Sequence, residues 1–170
     1  MITVEHHCRI VPKAMMNDPA LAGFWDRLAE SRTVNAVFYG GDCTSREHFV
    51  AFVRRPDVLF FGLLWDGEPG GFLILDRIEG RWARIHFGMF KGFYGHKART
   101  MARFGVAHLL FWQMDGTYVF DGFMGITPEN NKLAQRFIQK VGARVYCTIP
   151  EIGVISHTSR DTVNESWMEA

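Results

Sequence analysis

The spacing of apolar residues changes several times along this chain, and the changes predict where strands and helices lie. Segments rich in β-branched and aromatic residues, bounded by turn-forming residues, predict strands. Seven segments have this character, the last with the least marked pattern: Thr3–Val11, Val58–Trp65, Gly71–Ile78, Trp82–Phe90, Tyr118–Ile126, Ala143–Ile149 and Thr162–Met168. We therefore expect six or seven strands.

Apolar residues at helical spacing predict four helices between these strands. A capping-box spacing from Thr44 to Glu47 begins the second helix, and Pro56 should follow its end. The expected helices cover Asp18–Arg32, a short segment from Thr44, Lys97–Met114 and Thr127–Gly142.

The three central strands should form an antiparallel meander. The segments that join them, Asp66–Gly70 and Glu79–Arg81, are short and contain glycine. Connections of this length favour hairpins between neighbouring strands.

The segment from Ile126 to Gly142 has the features of a capped amphipathic helix. Thr127 is a preferred N-cap residue, and Pro128 suits the first helical position because its missing N–H would be unpaired there. Gly142 follows as a C-terminal stop. One face is apolar and is formed by Leu133, Ala134, Phe137, Ile138 and Val141. A core helix would have the same pattern without any chemistry.

The same segment resembles the last helix of the GNAT acetyltransferase superfamily. The family pattern is Asn, two residues, Ala, two residues, Phe-Tyr, three residues and Gly. Here Asn131, Ala134, Phe137 and Gly142 fall on that spacing. The family tyrosine often protonates the departing coenzyme A thiolate, and Ile138 takes its place. The resemblance implies a cofactor site and leaves the proton donor open.

The order of the predicted elements is also similar to that of the whole GNAT fold. The resemblance implies the α/β (α+β) class, with a mixed, mostly antiparallel sheet of six to seven strands flanked by about four helices. No repeat, low-complexity tract or linker divides the sequence, so residues 1–170 are expected to form a single GNAT-like domain.

The loop after the fourth predicted strand is a candidate for pyrophosphate binding. The family pattern there is Arg/Gln-x-x-Gly-x-Gly/Ala. If Gly92 takes the first position, Gly95 fits the first glycine and Lys97 stands at the final Gly/Ala position; a shifted alignment puts Ala98 there. Glycines let the backbone approach an anion, and the N–H groups at a helix start favour phosphate. A strand-to-helix loop with two glycines and several cations is also common without a ligand.

The resemblance implies that acetyl-CoA is the cosubstrate and that this region holds it. Main-chain groups from Gly88 to Phe90 would hold the pantetheine arm, and Asn131 would hydrogen-bond the arm or the acceptor. The candidate cofactor-binding residues are Gly88, Met89, Phe90, Gly92, Phe93, Gly95, His96, Lys97, Ala98, Arg99 and Asn131.

Acyl transfer to an amine requires a base and a proton for the leaving thiolate. In GNAT enzymes a base often lies on the fourth strand, where this chain has His86. Histidine titrates near neutral pH, so His86 is our candidate base, although a lone strand histidine is more often structural. Tyr146 is the candidate acid and Tyr94 the other nearby phenol, with water as the alternative donor.

Composition limits the other functions. The chain has 170 residues and a net charge of +1, which argues against a nucleic-acid binder that neutralises many phosphates. Its longest strongly apolar run, Val58–Trp65, is far shorter than the roughly 20 residues of a membrane helix. The N-terminus has no basic leader or apolar signal core, so a cytoplasmic location and no membrane partner are expected.

The cysteines and histidines do not form a metal motif. Three cysteines without a Cys-x-x-Cys pair make a disulfide framework or a zinc site improbable. In the cluster of His6, His7 and Cys8, the middle side chain would point to the opposite face of a strand from the other two. We therefore expect no metal.

The sequence thus predicts an acetyl-CoA-dependent N-acetyltransferase acting on a small-molecule or peptide amine that it does not identify. The alternative is a GNAT-fold binding or assembly protein that has lost turnover. The acceptor site should be lined by Val11–Asp42 and by a loop over Pro150–Arg160. Phe104, Phe111 and Trp112 lie partly off the apolar face of the long helix, and they would pack on a second element or form a homodimer contact.

Overall fold

The computed structural model describes residues 7–41 and 43–168, and only the backbone of residues 165–168. Its strands are β1 (Cys8–Pro12), β2 (Leu59–Trp65), β3 (Glu68–Glu79), β4 (Trp82–Met89), β5 (Gln113–Met114), β6 (Thr117–Tyr118), β7 (Gly122–Thr127), β8 (Arg144–Ile149) and β9 (Gly153–Ser159). Its helices are α1 (Asp18–Glu30), α2 (Val34–Val37), α3 (Arg46–Arg54), α4 (His96–Leu110), α5 (Lys132–Lys140) and α6 (Arg160–Met168), and Lys13–Met15 forms a 3₁₀ turn.

Seven of these strands form one sheet in the order β1-β2-β3-β4-β7-β9-β8, and β5 pairs with β6 separately. The pairs β1–β2, β2–β3, β7–β9 and β8–β9 are antiparallel, whereas β4 pairs with β7 in parallel through Trp82–Arg84 and Gly122–Met124. The predicted mixed, mostly antiparallel sheet is confirmed. The predicted first strand begins at Thr3, and its part before His7 lies outside the described residues.

The chain divides into two compact units. The first comprises Met1–Asp76 and His86–Ala102, and the second comprises Arg77–Ile85 and Arg103–Ala170. The boundary falls inside β3, β4 and α4, so each unit takes part of these elements.

Phenylalanine rings fill the core of the first unit. Phe72 on β3 contacts four other rings, with centroid distances from 5.5 to 6.4 Å: those of Phe24, Phe49, Phe60 and Phe90. All five side chains are buried. Three of these pairs are tilted or edge-on, and the pair with Phe60 is stacked. Aromatic pairs add stability beyond the burial of their apolar area.

Helices α1 and α3 of the first unit each have a side-chain N-cap. Asn17 caps α1 by accepting from Ala20 N–H at 2.9 Å. Ser45, rather than Thr44, caps α3 by accepting from His48 N–H at 3.2 Å. A serine and a threonine in succession are both good N-cap residues, so the pattern leaves the choice to the surrounding chain.

The predicted hairpin between β2 and β3 is present, but its turn has two residues, not the five of Asp66–Gly70, because β3 begins at Glu68. Asp66 has φ +51° and Gly67 has φ +85°, the left-handed values that a type I′ turn requires at both positions. The same Asp-Gly turn recurs at Asp115 and Gly116, with φ values of +51° and +75°, and joins β5 to β6. That second turn was missed, because α4 was expected to continue to Met114; it ends at Leu110.

Two predictions for the second unit, a loop and a strand, are wrong. The segment Pro150–Arg160, predicted as a loop, contains β9 between β7 and β8. Polar residues hide its pattern, because Ser156 and Thr158 occupy buried positions where an alternating strand usually has apolar side chains. A strand for Thr162–Met168 is wrong, since α6 lies there.

The start of α6 explains the second error. Ser159 N–H donates to Thr162 Oγ1 at 2.9 Å, and Thr162 N–H donates to Ser159 Oγ at 3.4 Å. This reciprocal cap is a helix-starting arrangement in which threonine replaces the usual Glu or Gln.

The predicted helix with the Asn-Ala-Phe-Gly pattern is confirmed as α5, but it begins later than expected. Thr127 belongs to β7, and Asn131 is the N-cap residue, accepting from Ala134 N–H at 3.0 Å. Gly142 ends the helix at φ +104°. Ala143 N–H donates to Ile138 O at 3.0 Å and Gly142 N–H to Gln139 O at 3.1 Å, which is a Schellman motif.

Within the described residues, every helix is too short or too polar to cross a membrane.

Replacing Gly142 with alanine should lower the free energy of unfolding by about 1 to 3 kcal/mol. The backbone is left-handed there, and a Cβ would lie 3.3 Å from both Cα and Cγ2 of Val163. Gly80→Ala is the matched control, because Gly80 has φ +59° with nothing within 4 Å of an added Cβ. Urea unfolding of both variants measures the difference, and equal losses would contradict the proposed contact with Val163.

Candidate functional site

The loop between β4 and α4, residues 90–95, is held by two buried phenylalanines. Phe90 N–H donates to Gly70 O at 3.0 Å, and Phe93 N–H closes a turn onto Phe90 O at 3.1 Å. Both side chains are buried in the first unit. Main-chain hydrogen bonds and buried side chains therefore set the path of the loop.

Two glycines give this loop its conformation. Gly92 has φ +93° and Gly95 has φ +76°, and at both positions an added Cβ would meet open space. The glycines are thus required by backbone conformation, because left-handed φ values are costly for residues with a side chain.

The first helical hydrogen bond of α4 joins Arg99 N–H to Gly95 O at 3.2 Å. The N–H groups of His96, Lys97 and Ala98 precede that bond and therefore have no acceptor within the helix. Together with the helix dipole, they make a location where an anion is stabilised.

A serine of α1 is bonded to the same loop. Lys91 N–H donates to Ser31 Oγ at 2.8 Å, and the Ser31 hydroxyl donates to Arg27 O at 2.7 Å. This link between the end of α1 and the loop was missed, and no sequence pattern indicates it.

The basic residues predicted for this loop differ in the groups that they contact. Lys97 Nζ lies 5.7 Å from the centre of the Trp65 ring and 5.6 Å from that of Phe93. His96 Nδ1 is 3.3 Å from Thr100 Oγ1, and the Ala98 side chain is buried. The Lys97 ammonium is therefore held by two aromatic faces at the edge of the loop.

His86 on β4 faces a carboxylate that the sequence analysis missed. Its Nε2 lies 3.3 Å from Asp76 Oδ1, and the exposed fractions of the two side chains are 11% and 6%. The His86 ring also stacks with that of Phe38, at a centroid distance of 6.5 Å and an interplanar angle of 29°. A sequence signal for Asp76 exists, because it directly follows the fully apolar run Phe72–Leu75 within one strand.

Close packing surrounds the predicted pantetheine segment. A Cβ at Gly88 would lie 2.3 Å from the Phe72 ring, so this position accepts only glycine without rearrangement. A Cβ at Gly71 would lie 2.5 Å from Gly88 O and 2.7 Å from Met89 Sδ. The backbones of β3 and β4 thus approach closely where the segment Gly88–Phe90 begins.

The other predicted site residues belong to the second unit. Asn131 uses its side-chain oxygen as the cap of α5. Ile138, which stands at the tyrosine position of the GNAT pattern, is buried. Tyr146 is 77% exposed and lies at a register shift in the edge strand β8. His86 and the loop residues are thus in the first unit, and Asn131 and Tyr146 are in the second.

No group of three His, Cys, Asp or Glu side chains suited to a metal ion occurs in the described part of the chain. His7, from the predicted cluster, pairs with Asp66 at 2.5 Å and stacks on Trp65. His6 lies outside the described residues.

Comparison with known proteins identifies the fold. No protein-family model matches the chain, and no curated protein matches it. Solved structures do match over nearly its full length. The aminoglycoside acetyltransferase AAC(6')-Ib, in complex with paromomycin and acetyl-CoA, has a TM-score of 0.71 and 16% identity, covering 96% of this chain and 99% of that one. This chain has the same fold as that enzyme.

Two further acetyltransferase structures also match the fold of this chain. RimL, a ribosomal alpha-N-protein acetyltransferase in complex with coenzyme A, has a TM-score of 0.66 at 10% identity, covering 94% of this chain and 96% of that one. The N-acetyltransferase PseH of Campylobacter jejuni has a TM-score of 0.60 at 8% identity, covering 90% and 98%. The GNAT-like architecture expected from the sequence is thereby confirmed at the level of the fold.

Proposed function

We propose that this protein transfers an acetyl group from acetyl-CoA to the amine of an acceptor molecule. The observation that carries the proposal is the loop between β4 and α4, in which two left-handed glycines lead directly into the unpaired N–H groups of a helix start. Acetyltransferases of the same fold have been crystallised with coenzyme A or acetyl-CoA, which supports the cosubstrate.

The shape and the charge of the loop both support pyrophosphate binding. Open space at Gly92 and Gly95 leaves the backbone accessible, and Phe90 and Phe93 hold it in place. The N–H groups of His96, Lys97 and Ala98 would bind the phosphate oxygens. Lys97 and Arg99 add positive charge in the first turn of α4.

His86 is the proposed general base. Its side chain is largely buried on β4, four residues before the loop begins at Phe90, and it makes a polar contact with Asp76 that holds its ring. Acetyl-CoA supplies the reactive thioester, and His86 takes the proton that the attacking amine must lose. A positioned base of this kind typically contributes about 10² to 10⁴ in rate.

The thiolate would be protonated by water or by Tyr146. Ile138 has no proton to give, and it is buried where the family has tyrosine. This observation also favours the second candidate function, a protein that binds CoA through the same loop without turnover. The acceptor remains an amine of unassigned structure, either a small molecule or a peptide.

Acetyl-CoA should bind with affinity in the micromolar range, because the loop is preformed and loses little conformational entropy on binding. Calorimetry with acetyl-CoA and with free CoA measures this. Binding followed by amine acetylation supports the enzyme, whereas binding without acetylation of any amine in a broad panel supports the second candidate. Absence of heat and of a thermal shift at millimolar ligand would refute both.

Charge reversal at Lys97 or Arg99 should weaken CoA by about three- to tenfold and should weaken a dephosphorylated pantetheine analogue less. The reason is that both side chains would act on phosphate charge. Arg9→Glu on β1 changes the net charge equally and serves as the control. Equal weakening of CoA and of the analogue would instead indicate damage to the loop.

His86→Gln should lower acetyl transfer by about 10² to 10⁴ while CoA affinity remains unchanged, since glutamine keeps a polar group but cannot act as a base. His108→Gln, at an exposed position of α4, is the matched control and should retain full turnover. Steady-state rates together with calorimetry separate the two quantities. Full turnover in the His86 variant would place the base elsewhere.

A further inference from the structure

The pairing of His86 with Asp76 determines which ring nitrogen can act. The contact involves Nε2 of His86 and Oδ1 of Asp76, at 3.3 Å, and both side chains are almost fully buried. The ring stacks with Phe38, which restricts its plane but does not distinguish its two nitrogens. Only Nε2 faces the carboxylate in this pair, so the contact with Asp76 distinguishes the two ring nitrogens.

An ionised carboxylate only accepts hydrogen bonds, so its partner nitrogen must carry the hydrogen. A neutral imidazole has one N–H and one nitrogen with a free lone pair. With the hydrogen on Nε2, the lone pair belongs to Nδ1. This is the reverse of the serine-protease arrangement, in which the carboxylate holds Nδ1 and the base is Nε2.

We propose that Asp76 is a positioning residue that holds neutral His86 as the Nε2–H tautomer, so that Nδ1 is the atom that accepts the proton of the acceptor amine. The proposal rests on the proposed acetyl transfer and adds to it the identity of the accepting atom and of the residue that selects it.

Acetyl transfer forms one carbon–nitrogen bond and breaks one carbon–sulfur bond. The amine nitrogen forms a bond to the thioester carbonyl carbon, and the carbon–sulfur bond breaks with its electron pair going to sulfur. The amine proton passes to Nδ1 of His86, and the thiolate takes a proton from water. Both nitrogens of the imidazolium then carry hydrogen until Nδ1 returns its proton to the solvent. Asp76 keeps its hydrogen bond to Nε2 throughout and exchanges no proton.

Nitrogen-15 NMR of the histidine rings tests the tautomer without any turnover. In the wild-type protein, neutral His86 should carry its hydrogen on Nε2. In Asp76→Asn, the asparagine amide can donate to Nε2, so the hydrogen should move wholly or partly to Nδ1. Asp76→Glu keeps a carboxylate and should restore the Nε2–H form in part.

The chain offers a matched control in its exposed pair of His7 and Asp66, where Nδ1 is the nitrogen that faces the carboxylate. Asp66→Asn is compatible with the left-handed turn, because asparagine is favoured in type I′ turns. This variant should alter the signals of His7 and leave those of His86 and the acetylation rate unchanged.

Acetylation by Asp76→Asn should fall by about 10² to 10⁴ with unchanged CoA affinity and a folded thermal transition, and Asp76→Glu should recover part of the rate. An Nδ1–H tautomer in the wild-type protein would overturn the proposal, as would full turnover in Asp76→Asn. If Asp76→Asn does not fold, the wild-type tautomer and the Asp76→Glu rate decide. If no amine is acetylated by the wild-type protein, the proposed function fails, while the NMR measurement still decides whether Asp76 sets the tautomer.

Discussion

The packing of the Phe72 ring beside Gly88 is the contact on which the candidate site depends. The ring occupies the space that a side chain on β4 would otherwise fill, since an added Cβ would lie 2.3 Å from it. It contacts the ring of Phe90, which ends the strand and begins the loop. Position 86 lies on the same face of β4 as position 88, because side chains alternate along a strand. One ring therefore packs both against β4 at Gly88 and against Phe90, where the proposed phosphate loop starts.

That same aromatic core makes the pair of His86 and Asp76 unusual in energetic terms. A buried carboxylate loses favourable hydration, and a neighbouring hydrogen-bond donor recovers only part of that loss. A polar pair of this kind contributes little net stability compared with apolar side chains of the same volume. Its presence beside Phe38 is explained better by a chemical role than by a contribution to folding, which supports a function for the pair.

The sequence predicts those features of the structure that depend on residues close together in the chain. The meander, the Gly142 stop and α5 depend on turn residues and on helical spacing. All three are present, although α5 begins later than expected, at Lys132. Strand β9 was missed because Ser156 and Thr158 point into the buried side of the sheet, where their hydroxyl groups obscure the alternation.

The candidate site was predicted less completely than the fold. The glycines at 92 and 95 and the histidine at 86 could be found from motif spacing and residue chemistry. Asp76 and Ser31 could not be assigned in the same way, since each acts on a residue that is close in space but distant in sequence, at 10 and 60 positions of separation. Such pairings depend on strand register and helix packing, which a single sequence specifies only indirectly.

The register shift at Tyr146 has a consequence for how the protein behaves at high concentration. Strand β8 is at the end of the sheet order, and its residues Val145, Tyr146 and Ile149 are exposed. If such an exposed apolar edge strand were regular, it would offer a continuous row of unpaired N–H and C=O groups to strands of other molecules. The extra residue at Tyr146 interrupts that row and increases the local twist, so a straight incoming strand cannot pair along its whole length. The irregularity thus disfavours intermolecular sheet formation along this exposed edge strand.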